Sequence, residues 1–188
     1  MSDQPKPARA ILQVGVKYGL VGSVIGIGLF FAMRWLGENP MIWTSPKLIA
    51  YCVLFAVFSL LAILEFRRYY LIGKWKFWQG LALGVLVYSV ISLTTFLVSA
   101  ITMQFDPDML QSYREVSIQS LETNREGFIE QFGEDRYAET KEVVMVTTLW
   151  DVALDDLFKK MLIGFFLTVT IVLAISIISS LQAREPSK

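Results

Sequence analysis

The chain has 188 residues, of which 54% are hydrophobic and 18% charged, and its formal net charge at pH 7 is +0. This composition is typical of a membrane protein, and a neutral chain has no general electrostatic attraction for nucleic acid. There is no histidine and only one cysteine, Cys52, which excludes an intrachain disulfide and the usual His and Cys ligand sets for metals. We therefore expect no cofactor, no metal site and no nucleic-acid partner.

Four apolar runs follow one another along the chain, and we predict that each forms a membrane-spanning helix. They cover residues 11–33, 48–66, 78–103 and 161–181. Each run is close to the roughly 20 residues that a helix needs to cross the hydrocarbon core of a bilayer. The first run lacks a signal-peptide cleavage site, so we interpret it as an uncleaved span. The predicted fold is all-α, a single integral membrane domain over residues 1–188 with a four-helix bundle.

Glycines form a narrow stripe on the first span. Gly15, Gly19, Gly22 and Gly26 are spaced four, three and four residues apart, and Gly80 and Gly84 form a similar pair on the third span. Small residues at this spacing let two helices approach closely in lipid. The sequence leaves two interpretations open, namely packing within the bundle and a seam for a second copy or for a helix of another membrane protein.

The segment EFRRYYLIGKWKFWQG, residues 65–80, concentrates positive charges and aromatic rings between the second and third spans. We predict that it forms a tight cytoplasmic turn, with Gly73 at the turn itself. The predicted membrane-interface anchors, which contact lipid head groups, are Arg67, Arg68, Lys74, Trp75, Lys76 and Trp78. A docking site for a protein partner or a specific lipid is the alternative interpretation.

Basic residues are unevenly distributed between the two sides of the predicted membrane domain. The inner segments 1–17, 65–76 and 182–188 carry nine Lys and Arg in 36 residues, among them Lys6, Arg184 and Lys188. The outer segments 34–47 and 104–160 carry eight in 71 residues. Since positively charged loops stay in the cytoplasm, we expect a bacterial inner-membrane protein with both termini cytoplasmic.

Residues 104–160 are predicted to form a helical extracytoplasmic hairpin. Asp106 and Pro107 suit the cap and the first position of a helix, and the glycines of residues 127–133 suit a break. A second helix is expected to start near Glu134 and to run directly into the fourth span. The acidic residues match no metal-binding loop motif, so we interpret them as a solvated face.

Charged groups are not expected deep within the spans. Lys17 is predicted to extend towards the interface, and Glu65 to pair there with Arg67 or Arg68. Asp155 and Asp156 are expected to pair locally with the lysines four residues later, on the outer side. The hydroxyl residues of the third span either line a polar seam or bond to their own helix; they are Ser89, Ser92, Thr95 and Ser99.

Four stretches together carry a resemblance to a known family. They are KYGL at 17–20, EFRRYY with GKWKFWQGLALG at 65–84, FDPDMLQSY at 105–113, and the terminal GFFLTVTIVLAISIISSLQAR. The chain resembles, along nearly its whole length, a family of small bacterial membrane proteins known as domain of unknown function 4199. The resemblance implies four spans and an inner-membrane location. It does not indicate an activity or a catalytic residue.

These observations favour an interaction protein over an enzyme. We expect an accessory or scaffold subunit whose partners are membrane lipids and other membrane proteins or a second copy of itself. An oligomeric permease or channel for a small uncharged solute is the alternative, based on the hydroxyl residues of the third span. An envelope sensor ranks third, because the inner segments are too short for an output module.

Overall fold

The computed structural model describes residues 7–71 and 75–182, and within them every regular element is an α-helix. The helices are α1 (Pro7–Trp35), α2 (Ser45–Tyr69), α3 (Phe77–Phe105), α4 (Pro107–Thr123), α5 (Arg125–Phe132), α6 (Glu134–Val146) and α7 (Leu149–Gln182). The helices α1, α2, α3 and α7 are long and apolar enough to cross a membrane. The predicted all-α fold with four span-capable helices is therefore confirmed.

Of the four long helices, α3 lies at the centre and contacts α1, α2 and α7. Their shared core contains Val14, Phe55, Leu83 and Val172, one residue from each helix, all 1% exposed or less. A second apolar cluster lies at the α4–α6 end of the bundle, where Met109 of α4 is buried. The outward faces carry large apolar side chains, as expected for helices that are surrounded by lipid.

The predicted glycine stripe lies against α3 of the same chain. All four of its glycines, Gly15, Gly19, Gly22 and Gly26, are buried. A Cβ atom added to Gly19 would lie 2.6 Å from Cβ of Val90, so the two helices are closer here than a side chain at position 19 would allow. Of the two interpretations left open by the sequence, this placement corresponds to packing within the bundle.

The second glycine pair serves the contact between α3 and α7. A Cβ atom on Gly80 would lie 3.0 Å from Cγ1 of Val172 in α7 and 2.7 Å from the ring of Trp75, which precedes α3, and one on Gly84 would clash with Thr168 of α7. From the opposite side, Gly164 of α7 leaves space for Tyr88 of α3, since a Cβ atom there would lie 2.5 Å from that ring. Gly164 has no glycine partner at a spacing of three or four, so the glycine pattern of the sequence did not predict its role.

The segment between α3 and α7 forms three helices, whereas the sequence predicted two. The helices α4 and α5 both pack against α6, and we call these three helices the α4–α6 layer. Gly133 has a positive φ of 90° and separates α5 from α6, at the end of the predicted break over residues 127–133, whereas Gly127 lies inside α5. Lys141 of α6 donates a hydrogen bond of 2.7 Å to Glu122 of α4, which raises the pKa of Lys141.

Of two expectations about the ends of this segment, one is wrong and the other holds for the position of the residue but not for its side chain. The chain does not continue as one helix from α6 into α7, because Thr148 and Asp151 form a capping box that starts α7. The Asp151 carboxylate accepts the Thr148 N–H at 2.8 Å, and Thr148 Oγ1 accepts the Asp151 N–H at 3.3 Å. Asp106 precedes α4 as predicted, but its side chain makes no capping hydrogen bond and pairs with Arg34 of α1.

At the opposite end, Glu65 forms an ion pair with a different partner from the one expected. Its Oε2 atom accepts hydrogen bonds from Lys17 Nζ at 2.6 Å and from Tyr18 Oη at 2.8 Å. The predicted partners Arg67 and Arg68 lie one helical turn or less away, and neither pairs with it among the described contacts. This ion pair links α1 to α2. Its two residues lie 48 positions apart, so no local pattern in the sequence predicts it.

We expect that replacing Glu65 by Gln lowers the midpoint of thermal unfolding in mild detergent by only about 2 °C or less. The side chain of Lys17 is 57% exposed, so solvent screens the ion pair. The amide oxygen of Gln still accepts one of the two hydrogen bonds. A midpoint that falls as far as that of a core variant would show that this pair is a main support of the α1–α2 contact.

Candidate functional site

Three charged side chains meet inside the bundle near its α4–α6 end, and we call them the charged cluster. Lys47 Nζ lies 2.8 Å from Oδ1 of Asp156, and Lys160 Nζ lies 2.6 Å from Oδ2. Each of the three side chains is only 2% exposed. Since buried charges are stable only when they are paired and hydrogen-bonded, each ammonium group depends on the single carboxylate.

Polar and aromatic groups complete the surroundings of the charged cluster. Asp156 also accepts a hydrogen bond of 3.0 Å from the indole N–H of Trp43, and Lys47 donates one of 2.5 Å to the carbonyl of Pro40. The ammonium of Lys47 lies 4.6 Å from the centre of the Trp43 ring, at a distance that suits a cation–π contact. Pro40 and Trp43, in the segment between α1 and α2, thus stabilise Lys47 and its contact with Asp156.

Lys160, the other lysine of the charged cluster, contacts α2 and α3 inside the bundle. Lys160 Nζ donates a hydrogen bond of 3.1 Å to Thr95 Oγ1 of α3 and lies 4.4 Å from the centre of the Tyr51 ring of α2. Thr95 lies ten residues before the end of α3, which is roughly 15 Å along the helix at about 1.5 Å per residue. The charges therefore lie inside the helix bundle and not on the surface.

The predicted surroundings of these three residues are wrong. The apolar runs place Lys47, Asp156 and Lys160 in outer segments, because the second run begins only at Leu48 and the fourth only at Met161. In the structure α7 starts twelve residues earlier, and Val152, Ala153, Asp156 and Lys160 form its buried face. The expected local pairing of Asp156 with Lys160 is present, but it is buried.

A pattern in the sequence does indicate which face of α7 is buried. The apolar residues Trp150, Leu154 and Phe158 recur at intervals of four and are 56%, 41% and 70% exposed, so they form the outward face of α7. The inward face then has to carry Asp156 and Lys160. An ionisable residue on the inward face of a span-length helix is a recognised marker of a functional site.

The charged cluster contains an excess of positive charge, since it has two ammonium groups and one carboxylate. A cavity of about 500 Å³ lies beside it, between the end of α1 and the start of α2. Its walls are mainly apolar and include Leu29, Met33 and Ala50, and Lys47 contributes to the lining. The site thus combines an apolar space with a buried basic group.

The predicted anchors of the α2–α3 turn are used partly for contacts within the chain. Arg67 Nη2 donates a hydrogen bond of 3.1 Å to Ser179 Oγ of α7, and Trp75 Nε1 donates one of 3.4 Å to Ser176 Oγ. Arg68 stacks on its neighbour Tyr69, Lys76 precedes α3, and Trp78 is 51% exposed. Two of the predicted anchors, Arg67 and Trp75, thus contact the end of α7.

Several residues of the sequence predictions lie outside the described part of the structure. Gly73 and the predicted anchor Lys74 belong to residues 72–74, and Lys6, Arg184 and Lys188 belong to the two ends of the chain. The predicted role of Lys74 and the contribution of the terminal basic residues to orientation stay predictions.

Two of the four hydroxyl residues that the sequence analysis named on α3 bond to their own helix. Thr95 Oγ1 donates to the carbonyl of Ile91 or Ser92, and Ser99 Oγ donates to that of Phe96 at 2.9 Å. Ser92 Oγ is buried and has no hydrogen-bond partner among the described residues. Within those residues, no group of three or more acidic, cysteine or histidine side chains is placed to hold a metal ion.

Comparison with known proteins adds a family and no activity. Residues 17–180 match the model of a family described as protein of unknown function, DUF4199. No curated protein and no solved structure matches the chain.

Proposed function

Because this chain belongs to the DUF4199 family of proteins of unknown function, we propose a function from its own residues, namely that of a non-enzymatic accessory or scaffold subunit of a membrane complex. The four apolar helices indicate a multi-pass membrane protein. We place it in the bacterial inner membrane with both termini in the cytoplasm, on the distribution of its basic residues. In this orientation the α4–α6 layer is extracytoplasmic.

The observation that carries this proposal is the composition of the α4–α6 layer. Residues 106–146 contain ten acidic and four basic residues, so the layer has a strong negative charge. Apolar side chains nevertheless remain exposed on it, with Phe132 at 55%, Val143 at 56% and Val146 at 67%. Exposed apolar groups rimmed by charge are typical of surfaces that contact another protein. The partner we infer is a membrane protein with a basic extracytoplasmic surface.

The glycine stripe lies against α3 of the same chain, so we do not base the partner contact on it. A partner therefore binds either the α4–α6 layer or the outward faces of the long helices. The layer is the better candidate, since its negative charge also provides steering towards a basic partner.

Extraction of the tagged protein in mild detergent, followed by light scattering and mass spectrometry, tests the proposal. We expect a defined complex with a second membrane protein. The double variant Val143→Asp, Val146→Asp should lose that partner, whereas the control Gln119→Asp on exposed α4 should retain it. Recovery of the wild-type protein as a lone monomer would contradict the proposal.

A second candidate is an oligomeric permease or channel for a small uncharged solute. The charged cluster favours it, since ionisable groups inside membrane proteins commonly lie on transport pathways. A solute-flux assay in liposomes distinguishes the two functions. Flux above that of empty liposomes, together with a homo-oligomeric state, would favour the permease over the accessory subunit.

A further inference from the structure

The cavity between α1 and α2 has the size and lining of a site for an acyl chain. Its volume of about 500 Å³ falls within the range of roughly 300–1,000 Å³ that is usual for small-molecule sites. Leu29, Phe30 and Met33 of α1 form one wall, and Pro46 and Ala50 of α2 form the other. Because both helices are long and apolar enough to cross a membrane, a lipid can reach the space between them.

The cavity is connected to the protein surface at the end of α1. Leu36 contributes to its lining and is 73% exposed, and Ile49 of α2, adjacent in sequence to the lining residue Ala50, is 62% exposed. Exposed leucine and isoleucine at this point fit contact with lipid and not with water. These contacts fit an amphiphile from the bilayer as the occupant.

The polar end of the cavity is suited to an anion for two independent reasons. Lys47 lines it and belongs to the charged cluster, where two ammonium groups share one carboxylate and leave an excess of positive charge. The first turn of α2 also faces this region, and the side chain of its cap residue Thr44 makes no hydrogen bond to the helix. Pro46 has no N–H and the Leu48 N–H donates to the Thr44 carbonyl at 3.0 Å, so the N–H groups of Ser45 and Lys47 are the ones left in this turn. Such N–H groups and the positive end of the helix dipole attract phosphate oxygens.

We propose that this cavity binds a membrane phospholipid with an anionic head group, with one acyl chain between α1 and α2 and the phosphate at the first turn of α2 beside Lys47. A choline head group would bring another positive charge towards the two lysines, so a net anionic lipid is favoured. Glu38 also lines the cavity and is exposed, and its carboxylate opposes the anion. Removal of that charge should therefore strengthen binding.

Thermal unfolding of the purified full-length protein tests the proposal. Short-chain phosphatidylglycerol should raise the unfolding midpoint more than phosphatidylcholine with the same chains. Ala50→Phe fills the cavity and should abolish this difference. Val57→Phe should keep it, since Val57 lies on the same helix and is 44% exposed. Glu38→Gln should enlarge the difference. Equal midpoints in the two lipids, or a difference that Ala50→Phe leaves unchanged, would overturn the proposal.

Photocrosslinking of the wild-type protein avoids dependence on a variant that fails to fold. In vesicles that contain phosphatidylglycerol with a photoreactive acyl chain, the crosslinks should concentrate in residues 29–36 and 46–51. Labelling spread evenly over the outward faces of the four long helices would refute a specific site. Equal labelling of 29–36 and 46–51 by a phosphatidylcholine probe, or displacement by a free fatty acid alone, would refute the selectivity for an anionic phospholipid.

Discussion

Replacing Asp156 by Asn should lower the free energy of unfolding by about 3–5 kcal/mol, the range for the loss of one member of a buried ion pair. The substitution keeps the size of the side chain and removes the only negative charge of the charged cluster. Lys47 and Lys160, whose side chains are each 2% exposed, would then be buried without a counter-ion. The measurement is the thermal or denaturant unfolding of the purified protein in one mild detergent.

The adjacent residue provides a matched control. Asp155 pairs with Lys159 at the same helical spacing on the same helix, but both side chains are 47% exposed. Asp155→Asn should therefore cost only a few tenths of a kcal/mol. The triple variant Lys47→Met, Asp156→Leu, Lys160→Met should recover most of the stability lost in Asp156→Asn, because it leaves no unpaired charge. Equal losses for Asp155→Asn and Asp156→Asn would contradict the burial of the cluster.

Replacing Gly19 by Leu should destabilise the bundle by about 3 kcal/mol, the upper end of the usual range for overpacked cores. The new Cβ atom would lie 2.6 Å from Cβ of Val90, and an atom so close to the α3 backbone cannot move aside by a change of rotamer. The contact between α1 and α3 would therefore have to open.

Gly28 of the same helix serves as the control, because a Cβ atom there has no neighbour within 4 Å. Gly28→Leu should leave stability unchanged or raise it, since leucine favours a helix more than glycine does. Unfolding of the two variants in the same detergent gives the comparison. If Gly19→Leu were as stable as Gly28→Leu, then α1 and α3 would not pack through the glycine stripe.

Local patterns in the sequence were sufficient to predict the four span-capable helices and several helix boundaries. Apolar runs of about 20 residues have one stable solution in lipid, since a helix satisfies its own backbone hydrogen bonds. The start of α4 at Pro107 and of α6 at Glu134 followed from local proline and glycine signals. The glycine spacing likewise predicted a face for close packing, although it did not identify which helix covers it.

The pairing of distant residues required the tertiary structure. Lys47 and Asp156 are separated by more than a hundred residues, and only the packing of α2 beside α7 brings them to 2.8 Å. Glu65 likewise meets Lys17 across the α1–α2 contact, and not the arginines next to it in the chain. In both cases a counter-ion from another helix compensates for the loss of hydration, which no local pattern records.

The sequence by itself determined the class of this protein, an all-helical chain with four helices suited to a membrane, because the length and hydropathy of each run are local properties. The tertiary structure decided which side of each helix is buried and which side is exposed. It turned the apolar side of the first turns of α7 outwards and its charges inwards, since lipid accepts Leu154 and Phe158 at its surface while Asp156 and Lys160 need partners. The charged cluster follows from that orientation.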